Sequence, residues 1–167
     1  MEFSRSVNRM LHDEHMAVIA LLGRFGSYLR NQGPDTPPDM NDGSTDAMLR
    51  NIASAIDGEL ATHYAFEEAE LFPFLDDAGE GELPAALIEE HEFILPVGRR
   101  ISALARSAGA EGFSAESWAE FHRLGNLLVH DLTAHAEKEE MGLLPVLEEM
   151  LDPELDAKLA GDYAAKR

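Results

Sequence analysis

HYAFEEAELFPFL at residues 63–75 recurs as HAEKEEMGLLPVL at residues 135–147, and both copies read H-x-x-x-E-E-x-x-L-x-P-x-L. Upstream of each copy lies a second matched pair. Leu11-His12-Asp13-Glu14-His15 aligns with Leu87-Ile88-Glu89-Glu90-His91, and Arg24 and Arg100 each stand nine residues beyond the histidine. The chain is therefore two copies of one helical hairpin, with halves at about residues 4–76 and 82–151.

Apolar residues recur with the 3.6-residue period of a helix, and β-branched alternation is almost absent. The first helix is expected from about Ser4 to Arg30, with Val7, Met10, Leu11, Val18, Leu21, Leu22, Phe25 and Leu29 on one stripe. Residues 31–43, rich in Pro, Asp and Gly, read as a loop. A second helix starts with Ser44 or Thr45 as N-cap and runs to Phe72 or Leu75. After a turn at residues 76–81, Pro84 suits the first turn of a third helix ending near Ser107, which Pro96 should kink or split. Ser114 is read as the N-cap of a fourth helix reaching Leu151, and Asp152-Pro153 opens a short fifth. Short connections between the last long helices make neighbours antiparallel. The expected fold is all-α: an up-down-up-down four-helix bundle with a short C-terminal helix and a pseudo-two-fold repeat, in one domain over residues 1–167.

Composition narrows the chemistry. With 167 residues the chain is long enough for one substantial core. No apolar run is long enough for a membrane span, and the N-terminal residues lack the pattern of a secretory signal, so the cytoplasm is the expected location. Absence of cysteine excludes disulfides, thiolate metal sites and cysteine nucleophiles. A net charge of −19, from 13 basic and 32 acidic residues, argues against nucleic acid and anionic lipid as partners. Small neutral molecules are unaffected by that field.

On a helix, His63 and Glu67 are about 40° apart around the axis and about 6 Å apart along it, as are His135 and Glu139. Glu68 and Glu140 fall about 140° from their own histidines, which assigns them to solvent. The core then holds His15, His63, His91 and His135 with Glu67 and Glu139. Two buried carboxylates need counter-charge. One cation cannot use six donors without strain, whereas two can each take two histidines and share both carboxylates. Imidazole with carboxylate suits iron, manganese or zinc. His12, about 60° from His15 on the same face, offers a fifth imidazole. Glu59 and Asp131 each precede a ligand histidine by four residues, either as acceptors for imidazole N–H groups or as a polar bundle end. His122 and His130 read as surface or boundary residues, Pro73 and Pro145 as kinks or helix ends. Trp118 and Tyr163 show no readable role.

These motifs, taken together over nearly the whole chain, resemble the hemerythrin-like family, also called HHE cation-binding domains. The resemblance implies a four-helix bundle around two iron ions with bridging carboxylates and an oxo or hydroxo bridge. An exchangeable position there would bind oxygen, nitric oxide or peroxide, for a sensor, store or scavenger. Zinc and manganese are possible substitutes, and a structural zinc bundle is the inert alternative. Where oxygen-carrying hemerythrins have a further histidine four residues after the first in the third helix, this chain has Leu95, with Ile19 in the matching place of the first half. Their final aspartate, five residues after its histidine, is replaced by Glu139 at four. Fewer histidines favour redox turnover or sensing, so a peroxidase- or catalase-like enzyme is the alternative function. Iron–sulfur cluster repair fits less well, because the relatives that do it carry an N-terminal cysteine-containing extension.

Overall fold

The computed structural model describes residues 3–167. Four long helices and one short one account for nearly all of them. Helix α1 is Ser6–Gln32. Helix α2 spans 43–77, α3 is Glu82–Glu111, α4 spans 115–150 and α5 is Pro153–Lys166. α1 packs along α4, α2 along α3 and α3 along α4, while α5 lies against α1. No described helix is long and apolar enough to cross a membrane.

Helix ends follow local chemistry, with one correction. Asp42, rather than Ser44 or Thr45, caps α2: its carboxylate accepts from the Ser44 and Thr45 N–H groups. Aspartate is as good a cap as serine, and the cap stands two residues before Ser44 and three before Thr45. Ser114 caps α4 in a reciprocal arrangement with Ser117, and Asp152 caps α5 ahead of Pro153, as expected. Helix α1 has no cap of its own. The N–H groups leading into it and its own first two are taken instead by two distant carboxylates. Glu148 accepts from the Ser4 and Arg5 N–H groups at 2.7 and 3.2 Å, and Asp156 from those of Ser6 and Val7 at 2.8 and 2.9 Å. Gly33 ends α1 and Gly112 ends α3, each at a φ above 70° that an L side chain resists.

Pro96 does not split α3, which runs unbroken through it. The proline is exposed, so the carbonyl it leaves without a helical donor lies on the solvent side. Pro73 and Pro145 do not end their helices. Each follows a wide π turn, Glu67–Leu71 in α2 and Glu139–Leu143 in α4, and the helix then continues. In these turns Phe72 N–H bonds to Glu67 O and Leu144 N–H to Glu139 O, five residues back. The widened turn accommodates a ring that would crowd the carbonyl four residues earlier in a regular helix. A third π segment, Ala55–Leu60, occurs only in the first half among the described residues.

The apolar core is in two parts. One cluster, built around Phe25, Leu29, Ile52, Ile101, Trp118 and Phe121, fills the end of the bundle nearer the 31–43 loop. The other, around Leu11, Phe66, Leu71, Leu87, Leu147 and Tyr163, fills the end closed by α5. Along every long helix a single buried histidine stands where one cluster gives way to the other: His15, His63, His91 and His135. The polar layer is thus sealed above and below by hydrocarbon.

Candidate metal centre

All six residues expected to be ligands converge in that layer. His15, His63, Glu67, His91, His135 and Glu139 are buried, and their donor atoms form two overlapping groups. His15, His63, Glu67 and Glu139 make one; Glu67, His91, His135 and Glu139 make the other; within each, donors lie within 4.8 Å of one another. Glu67 directs Oε1 toward His63 Nε2 (3.2 Å) and Oε2 toward His91 Nε2 (3.4 Å). Glu139 directs Oε2 toward His15 Nε2 and Oε1 toward His135 Nε2, both at 2.9 Å. Each carboxylate therefore places one oxygen in each group, the disposition a bridging ligand needs.

A cation fits this chemistry. Among the described residues, none of the four oxygens of Glu67 and Glu139 receives an aligned hydrogen bond, although all are buried. A buried carboxylate without donors is costly. The imidazoles crowd it without serving it, since His15 and His63 Nε2 are 3.3 Å apart and His91 and His135 Nε2 are 3.1 Å apart. Six donors aimed at two common points, and poorly bonded to each other, suit two metal positions.

The outward nitrogens explain the orientation. His15 Nδ1 donates to Glu140 at 2.7 Å, His63 Nδ1 to Glu14 at 2.8 Å, His91 Nδ1 to Glu68 at 2.8 Å and His135 Nδ1 to Glu90 at 2.7 Å. An ionised carboxylate can only accept, so each Nδ1 carries the proton and each Nε2 lone pair faces inward. The pattern obeys the repeat: Glu14 and Glu90 serve the histidine within their own hairpin, Glu68 and Glu140 the histidine of the other. Burial raises the Glu14, Glu90 and Glu140 carboxyls, but the imidazoles and cations beside them outweigh it and hold all three below the usual range. In the metal-free centre, burial lowers His91, yet Glu139, Glu67 and Glu68 together raise it to about 9.

Glu140 is therefore largely withdrawn from solvent, against the assignment from its angle, whereas Glu68 is exposed as that angle implied and still bonds to His91. They reach across to a neighbouring helix. His12 is half-buried outside both donor groups and shares Glu140 with His15, at 2.8 Å. It does not join the centre. Glu59 and Asp131 hold none of the four imidazoles: Glu59 is exposed at the rim of a cavity, and Asp131 accepts from its neighbour His130 Nδ1 at 2.8 Å. His122, at the boundary, contacts Leu29 O through Nε2 at 2.9 Å.

Two residues without a sequence signal do have places. Tyr163 in α5 is buried, stacks on Phe66 with centroids 4.2 Å apart, and donates its hydroxyl to Glu14 Oε2 at 2.5 Å. Arg167 pairs with the other Glu14 oxygen at 3.0 Å. In the second half Lys138, the repeat counterpart of Phe66, pairs with Glu90 directly. Trp118 donates Nε1–H to Gly33 O at 2.8 Å, tying α4 to the end of α1.

A cavity of about 40 Å³ abuts the centre, walled by Val18, Ala55, Leu60, Leu132 and Ala136 and bounded by Tyr64. A water needs roughly 10–15 Å³ measured this way, so the space admits a ligand of a few atoms and no more. The family model described as "Hemerythrin HHE cation binding domain" matches residues 6–147, a stretch that includes all six inward donors. No curated protein matches the chain.

Proposed function

Because the chain belongs to the hemerythrin HHE cation-binding family and carries a buried histidine–glutamate cluster able to hold metal, we propose that it holds two iron ions. His15, His63, His91 and His135 are the terminal ligands in this reading, and Glu67 and Glu139 the bridging ones. The centre then binds a small neutral oxidant, namely oxygen, nitric oxide or peroxide, as a sensor, store or scavenger. The observation that carries this is the sharing of both carboxylates between two donor groups beside a cavity sized for a few atoms.

Bound iron supplies the electrons and the open coordination positions for such a ligand. The protein's own groups do the rest. Glu14, Glu68, Glu90 and Glu140 keep each imidazole in the tautomer that presents Nε2, and the two apolar clusters exclude bulk water. The four residues of each group would hold one ion, and the apolar cavity walls favour an uncharged ligand over an ionic one. The protein's strongly negative field acts in the same sense. The absence of cysteine agrees with the cytoplasm as its location.

Protein produced with iron supplied should contain two irons per chain. Exposing the anaerobic ferrous form to oxygen should generate charge-transfer absorption in the near ultraviolet and visible. Full iron loading with no spectral response to oxygen, nitric oxide or peroxide would overturn the reading.

A further inference from the structure

Tyr64 breaks the two-fold pattern of the centre. Its repeat counterpart is Ala136, so one half of the site carries a phenol where the other carries a methyl group. The Tyr64 ring lies flat on His91, centroids 3.5 Å apart and planes 10° from parallel, and sits edge-on to His135 at 5.3 Å. It is 2% exposed, and its hydroxyl has no hydrogen-bond partner among the described residues. Phenylalanine would supply the same stacking without the cost of burying an unpaired hydroxyl. Packing alone therefore does not account for a tyrosine.

The cavity does. Tyr64 and Ala136 both line it, together with His15, His63, His135 and Glu139, whereas His91 and Glu67 do not. Over His91 the space is filled by the Tyr64 ring itself. Access is thus unequal: His15, His63 and Glu139 of the first group line the cavity, but only His135 and the shared Glu139 of the second, whose His91 lies under the Tyr64 ring.

Resting on the dinuclear reading above, we infer that Tyr64 is a ligand-binding residue: its hydroxyl donates a hydrogen bond to the small molecule held in the cavity on the His15–His63 side. Such a donor favours ligands that gain negative charge on binding, since hydrogen bonds to charged groups are the stronger class. The arrangement also makes binding one-sided, with one ligand per centre.

Azide, a linear triatomic anion whose charge ferric iron would offset, is the probe, titrated into iron-loaded oxidised wild-type protein and Tyr64→Phe. Metal analysis of both samples comes first, and equal iron content shows that the variant retains the centre. Wild-type protein should take up one azide per centre, with an azide stretching band that shifts in deuterium oxide. In Tyr64→Phe the dissociation constant should rise about tenfold and the deuterium shift should vanish. Equal dissociation constants and equal deuterium sensitivity overturn the role of Tyr64 while leaving the dinuclear centre standing. A wild-type protein without paired iron overturns the reading of the centre and this inference with it, an outcome the metal analysis identifies on its own.

Discussion

A carboxylate behind an imidazole decides which ring nitrogen faces inward, and here all four imidazoles have one. The inner histidines and glutamates were legible because a ligand pair on one helix has a spacing, and the spacing was repeated. The bonds that Glu68 and Glu140 make are not legible, for a related reason. A helical wheel relates residues on one helix, whereas these two carboxylates serve histidines on another, so their angle from His63 and His135 carried no information. Glu140→Ala should free His15 Nδ1 and lower metal affinity about 10–100-fold, read by competition with a chelator. Asp131→Ala, which removes a carboxylate bonded to His130 and to none of the four inner imidazoles, should leave the affinity unchanged.

Within the elements, the two π turns place Glu67 and Glu139 at the point where each helix widens. Their prolines were visible in the sequence, but a proline reports only a missing donor and a bulky ring. Whether the helix ends, bends or widens depends on what packs on either side. The start of α1 shows the same limit. Its capping groups come from Glu148 and Asp156, more than a hundred residues away. The slight burial of Glu148 raises its carboxyl, but the Ser4 hydroxyl, the Ser4 and Arg5 N–H groups and the Asn8 amide together bring it down to about 2. A carboxyl held below its unfolded value stabilises the fold above the ordinary carboxylate range, and that stability is lost as pH falls toward 2. Glu148→Ala should therefore cost about 1 kcal/mol at pH 7. The gap between variant and wild type, measured by denaturant midpoints on metal-free protein, should narrow progressively as the pH is lowered toward about 2.

Across the whole molecule the centre joins all four long helices between two apolar clusters, so metal and fold are coupled. At a free metal concentration about 100 times the dissociation constant, binding adds about 2.7 kcal/mol. For a domain of this size that raises Tm by about 5–10 °C. The coupling is pH-dependent. Without metal, His91 is held up to about 9, so the stability its protonation contributes is complete below about 6.5 and lost as pH rises through about 9. Metal-free protein should therefore lose Tm across that interval while the loaded protein does not. A calorimetric pH series on both forms checks this, and parallel curves would contradict it.

Periodicity, the repeated hairpin and the donor residues at helical spacing are local properties, and the amino-acid order alone determined them, together with the inward set of six. Partners from different helices were decided only by tertiary structure. Those are the carboxylate behind each imidazole, Tyr163 and Arg167 on Glu14, the remote caps of α1, and the cavity that Tyr64 and Ala136 share. Each depends on the rotation and height of one helix against its neighbour. Those two quantities are set by how whole side-chain surfaces interlock, which no single stretch of sequence records.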